Sequence, residues 1–273
     1  MKYCLPYNKY TYKNELINEA DEWTIDYNPD DITLTKFLDV YKDKRINFRI
    51  KDNVNIEEEL GINFLKELNE KYPNLYIQFP QYSIEIKNIL QKNEIKNYFF
   101  TTYANNIDFF YILLNSGVSD IYVVESLCFE LDKISKMAKE KNIRIRTYPN
   151  VAQTLSSEIP ALKRFFIRPE DIQIYEKYVD VCEFLYENEA CLVYLDIYKN
   201  KKEWFGNLAE IIDGLEINLD SRFILPKFGE TRVKCGKRCF RGDPCHICEL
   251  IQETAETLED AGIRIDKEEK DNG

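Results

Sequence analysis

Four cysteines fall within fourteen residues: Cys235, Cys239, Cys245 and Cys248, spaced Cys-x3-Cys-x5-Cys-x2-Cys. A thiolate is a soft, anionic ligand, and four of them meet the tetrahedral preference of zinc with no coordination position left open. The spacing therefore predicts a structural Zn2+ site. A 4Fe-4S cluster draws on the same donor set and is the alternative. Gly236 and Gly242 permit tight turns, and Pro244 fixes the approach to the second pair. His246 is the only histidine of the chain and lies between Cys245 and Cys248; it is read as a bystander rather than a ligand. The last cysteine pair opens an amphipathic run over 248–262, so metal is expected to tether a final helix to the loop before it.

Charge changes sign around this cluster. The whole chain carries −11, yet Ser221 to Gly242 holds seven basic residues (Arg222, Lys227, Arg232, Lys234, Lys237, Arg238 and Arg241) against the single acid Glu230. Such a patch suits a protein or nucleic-acid partner at the segment Arg222–Arg241. It suits equally well the compensation of four thiolates and pairing with the acidic final helix. The other cysteines, Cys4, Cys128, Cys182 and Cys191, are scattered, and Cys128 and Cys182 sit in strand-like runs as expected core residues. No apolar stretch reaches the roughly 20 residues needed to cross a bilayer, and MKYCLPYNKYTYK lacks the apolar run of a secretory signal. A cytoplasmic protein with no membrane partner is expected.

The elements that must position any chemistry form a repeating pattern. From about residue 21 to 186, short β-rich runs alternate with segments of helical period. The strand candidates are 22–28, 45–50, 75–80, 97–104, 120–126, 143–149, 164–169 and 179–186, each rich in Ile, Val, Phe and Tyr. Between them, 55–72 and 129–142 place apolar residues at three- and four-residue steps, as amphipathic helices do. Eight strands alternating with helices predict an α/β fold of the (β/α)8 TIM type, with an open doubly wound sheet as the alternative. In a closed barrel the strand near Trp23–Tyr27 and the one near Val181–Tyr186 are expected to be hydrogen-bonded neighbours. The run 190–200 reads as a strand or a closing helix, 203–214 as a helix ending on Gly214, and 221–228 as a short strand. The division is a barrel domain over 1–216 and a cysteine module with its helix over 217–273.

Chemistry in parallel α/β architectures sits at the carboxyl ends of strands. Those ends carry Asp26, Glu125, Arg146 and Arg168, the candidate ligand-binding set, together with Arg49, Gln78, Thr101 and Glu183. Acids and arginines around one opening either hold a polar ligand or neutralise one another as a plug. No Gly-rich phosphate loop or nucleophile elbow is present, and a single histidine argues against histidine-based acid–base chemistry.

The stretch TTYANNIDFFYILLNSGVSDIYVVESLCFELDKI (101–134) runs from a polar strand end through a helix into a strand and an acid-containing turn. A second stretch, FFIRPEDIQIYEKYVDVCEFLYENEACLVY (165–194), carries a strand, an acidic turn and a cysteine-bearing segment. In this the chain resembles the U32 peptidase-like family of collagenase-like proteins and RNA- and quinone-hydroxylation factors. The resemblance implies a barrel-type fold and raises the case for iron–sulfur at the four cysteines, and with it an enzyme or RNA-modification role. The family's His-Gly-x-x-Cys signature is replaced by Tyr186-Glu187-Asn188-Glu189-Ala190-Cys191, so the resemblance transfers no catalytic residue.

Overall fold

The protein is described by a computed structural model. It describes residues 1–8, 11–12, 14–27, 34–50, 61–101, 103–104, 106–124, 127, 130–149, 164–165, 167–184, 190–200, 207–212, 215–220, 228–234, 253, 256–257 and 266–269. The strands of the main sheet are β1 (Lys2–Pro6), β2 (Glu22–Asp26), β3 (Arg45–Arg49), β4 (Leu75–Phe79), β5 (Tyr98–Phe100), β6 (Tyr103–Ala104), β7 (Asp120–Val123), β8 (Arg144–Thr147) and β10 (Val181–Glu183). All pair in parallel, in the order β5-β4-β3-β2-β1-β10-β8-β7-β6. The two ends of this ladder, β5 and β6, are consecutive stretches of one run of chain with only residues 101 and 102 between them. Arg45 on β3 also reaches Asp120 on β7 at 3.1 Å. Those strands are five places apart in the ladder, about 24 Å if the sheet were flat. The nine-stranded parallel sheet therefore curls round into an α/β fold of the TIM type.

Helices occupy the connections: α1 (Leu34–Val40), α2 (Ile62–Lys71), α3 (Ile84–Lys92), α4 (Ile107–Leu114), α5 (Leu131–Glu140), α6 (Ile172–Tyr175) and α7 (Ala190–Lys199). Their starts follow local chemistry. Ser83 accepts from Ile86 N at the head of α3, and Asn106 accepts from Phe109 N at the head of α4. Gly117 takes a positive φ of 78° in the turn from α4 to β7, a conformation that costs glycine little. The apolar core lies between sheet and helices, where Trp23, Ile46, Leu65, Leu75, Leu90, Phe110, Ile121, Leu131, Ile134 and Ile145 are buried.

Three sequence expectations are corrected. The N-terminal segment, not read as an element, is β1, and it lies between β2 and β10, so those two strands are not neighbours. The run 164–169 contributes only β9 (Arg164–Phe165), which pairs outside the barrel with β11 (Asn207–Ile212). The third correction is 203–214, expected as a helix: 207–212 is β11, antiparallel to β12 (Leu215–Asp220), with Ile212 opposite Leu215. Strand β13 (Asp266–Glu269) completes this second sheet, ordered β13-β12-β11-β9. The ambiguous run 190–200 is helix α7, which packs against β1. The expected division after residue 216 falls within β12. Among the described residues no helix is long and apolar enough to cross a membrane.

A final described helix, α8 (Phe228–Lys234), packs on α5 and α6 and ends one residue before Cys235. Arg232 and Val233 are buried there. Cys235, Cys239, Cys245 and Cys248 lie outside the described residues, as does most of the expected final helix.

Candidate functional site

The inner face of this barrel is charged, where TIM-type barrels commonly stack Val, Ile and Leu. The cause is visible strand by strand. Side chains alternate across a strand, and β2 (Glu-Trp-Thr-Ile-Asp), β3 (Arg-Ile-Asn-Phe-Arg), β7 (Asp-Ile-Tyr-Val) and β8 (Arg-Ile-Arg-Thr) place polar residues at every other position. Their apolar partners Trp23, Ile46, Phe48, Ile121 and Ile145 belong to the core shared with the helices. The polar positions are left to face one another across the barrel.

At the amino-terminal end, Glu22, Arg45, Asp120 and Arg144 open their four strands and meet. Arg144 donates from Nε and Nη2 to Asp120 Oδ1 at 2.9 and 2.6 Å and from Nη1 to Glu22. Arg45 Nη2 donates to Asp120 Oδ2 at 3.1 Å and its Nε to Asn47 Oδ1 at 3.0 Å, while its guanidinium lies 3.6 Å above the Tyr76 ring. Deeper in, Arg146 Nη1 donates to Glu22 Oε2 and Nη2 to Glu183 Oε2, both at 2.9 Å. Glu183 also accepts from the Tyr122 hydroxyl at 2.6 Å. Three carboxylates thus meet three guanidiniums, and the cluster is neutral.

The protonation states follow from this pairing. Burial alone would raise the Glu22 carboxyl, but Arg146, Arg144 and Arg45 outweigh it and hold it at about 2. Asp120 is likewise depressed by the same guanidiniums against the effect of burial. Burial and the neighbouring Glu183 push the Cys4 thiol up to about 12, so that buried thiol stays protonated. Burial also raises the phenols of Tyr122 and Tyr148. Glu22 and Asp120 are held ionised by their guanidinium partners, and Glu183 is engaged by Arg146 and Tyr122, which suits a structural plug better than acid–base exchange.

The four candidate residues do not form one group. Arg146 is fully buried at the centre of the plug. Asp26 ends β2 and accepts from Arg49 Nε at 2.6 Å, at the carboxyl-end mouth. Arg168 stands apart, before the 3-10 turn Pro169–Asp171, and donates to both oxygens of Asp171 at 2.6 and 2.9 Å. Glu125 lies outside the described residues. Around the mouth, Gln78 Nε2 donates to Thr101 Oγ1 at 2.7 Å, and the hydroxyls of Tyr103 and Tyr148 are 3.3 Å apart. Sequence reasoning missed Glu22, Arg45, Asp120 and Arg144 because it searched strand ends alone. The available signal was the charged residue that opens each of these four strands.

Among the described residues no group of three or more His, Cys, Asp or Glu side chains is arranged to hold a metal ion. Cys4, Cys182 and Cys191 are buried free thiols. The four clustered cysteines fit zinc or iron–sulfur by the chemistry of their donor set, and α8 is the described element that leads into them.

No protein-family model and no curated protein matches the chain. Among solved structures it is similar to the tryptophan synthase α subunit of Campylobacter jejuni, at 14% identity and a TM-score of 0.43, over 75% of this chain and 96% of that one. It is similar also to RipC from Yersinia pestis, at 10% identity and a TM-score of 0.41, over 72% of this chain and 94% of that one. Tryptophan synthase from M. tuberculosis matches at 9% identity and a TM-score of 0.42, over 74% and 88%. These likenesses assign no activity to this chain.

Proposed function

We propose that the chain is a metal-binding protein whose TIM-type barrel serves as a rigid scaffold, acting in binding or assembly through its cysteine segment. Cys235, Cys239, Cys245 and Cys248 hold a structural zinc ion, which ties the segment after α8 to the amphipathic run 248–262. The basic residues of the segment Arg222–Arg241, apart from the buried Arg232, supply the contact to a protein or nucleic-acid partner. The observation that carries this reading is the neutral plug: the carboxylates and guanidiniums inside the barrel are spent on one another. The buried face of α8 is consistent with it, since the residues entering the first cysteine are seated on α5 and α6.

Metal content and the absorption spectrum of protein purified without oxygen test the proposal. One zinc per chain in a colourless solution supports it, and Cys239→Ser or Cys245→Ser should then lose the metal while the barrel melt survives. A brown protein holding iron and sulfide would favour the alternative, an enzyme or RNA-modification factor of the kind the U32 resemblance implies. A disulfide among the four cysteines would defeat both.

A further inference from the structure

Above the plug, the carboxyl-end mouth holds two opposite charges whose hydrogen-bonding capacity is only partly used. Asp26 and Arg49 are register partners at the ends of β2 and β3. Arg49 Nε donates to Asp26 Oδ1 at 2.6 Å. Among the described residues neither side chain makes another hydrogen bond, which leaves Arg49 Nη1 and Nη2 and Asp26 Oδ2 available. Both side chains are partly exposed, at 26% and 34%. By the two-residue alternation of β3, Arg49 shares the face that carries Arg45 and Asn47, the face on which Arg45 reaches Asp120 across the sheet.

Two further features lie at the same carboxyl end of the strands. Gln78, the register partner of Arg49 on β4, is fully buried. Its Nε2 donates to Thr101 and Tyr122, while its Oε1 meets no donor. A buried acceptor without a donor is costly, and this one sits one strand from the mouth. On the other side, Tyr103 and Tyr148 stand with their rings against Tyr122, an aromatic wall with its hydroxyl ends together.

We propose that this mouth binds a free α-amino acid as its zwitterion, the carboxylate on the Nη fork of Arg49 and the ammonium on Asp26 Oδ2. The charge balance selects the class. A simple anion drawn to Arg49 meets Asp26 beside it, and a simple cation drawn to Asp26 meets Arg49. A ligand with both charges on one carbon satisfies the two side chains together, because they rise side by side from neighbouring strands whose backbones lie about 4.8 Å apart. The guanidinium fork accommodates a carboxylate through two parallel N–H donors, and the partly exposed ring of Tyr103 offers apolar contact for the ligand's side chain. The site is independent of the cysteine segment, so either assignment can fail without the other.

Titration calorimetry of the full chain against each of the twenty standard L-amino acids tests the idea, with propionate and propylamine as single-charge controls. At least one amino acid should bind with millimolar affinity or better, and both controls at least tenfold more weakly. Arg49→Met should weaken binding tenfold or more. Arg49→Lys keeps the ion pair with Asp26, and hence the fold, but loses the fork and should weaken it similarly. Silence from all twenty up to about 10 mM, equal binding of the controls, or unchanged affinity in Arg49→Lys would overturn the proposal.

Discussion

Arg146 is the keystone of the barrel interior, and its replacement by methionine gives the sharpest test of the plug. Methionine has a similar reach and no charge. The substitution removes the donors to Glu22 and Glu183, each at 2.9 Å, and leaves three buried carboxylates facing two guanidiniums. Breaking a buried pair from one side costs about 3–5 kcal/mol, mostly through the charge left behind. Domain stabilities are about 5–15 kcal/mol, so this is a large share of the whole. At about 2–4 °C per kcal/mol for a domain of this size, the melting temperature should fall by about 6–20 °C. Calorimetry or circular dichroism at neutral pH reads the shift. Adding Glu183→Gln to Arg146→Met neutralises one stranded carboxylate while keeping an acceptor for Tyr122, and should recover part of the loss. A single variant melting within about 2 °C of the parent, or a double variant no better than the single, would refute the account.

Two other perturbations follow from the same geometry. Glu22 is lowered from 4.5 to about 2 in the folded state, so its contribution is present above pH 4.5 and is lost as pH falls through about 2. That shift corresponds to ~3 kcal/mol, Asp120 moves in the same direction, and Glu22→Gln should flatten this limb of the stability profile; an acid transition of the parent centred above about pH 5 would contradict the pairing. Gly229→Ala should loosen α8, because an added Cβ would come within 3.0 Å of Asp171 Cγ and 3.1 Å of Ile174 Cδ1. Asp171 is held by Arg168 and yields little, so the overpacking cost of about 1–3 kcal/mol is only partly offset by the ~1 kcal/mol that alanine gains over glycine in a helix; faster amide exchange over 228–234 without change in β2 and β3 would verify the net loss.

The cysteine spacing and the alternation of strands and helices were legible in the sequence because both are local. Four thiols within fourteen residues need no tertiary fold to be recognised, and a run such as Arg-Ile-Asn-Phe-Arg declares a strand through its period of two. The same period leaves open which face is inside. In β2, β3, β7 and β8 an ordinary reading of alternation would turn the polar face to water. The curl of the sheet turned it inward, because the apolar face was needed by the helices. Asp213-Gly214 between two apolar runs was a hairpin signal, overlooked because the helical period of 203–214 competed with it. Sheet membership was not legible at all. Whether 2–6 or 164–169 entered the barrel depended on which backbone edges remained for pairing, a property of strands distant in sequence. The sequence alone determined that Glu22, Asp120, Arg45, Arg144 and Arg146 exist in strands. Only the curl of the sheet decided that they meet, since residues up to 124 apart in the chain had to be brought within hydrogen-bonding distance before their charges could cancel.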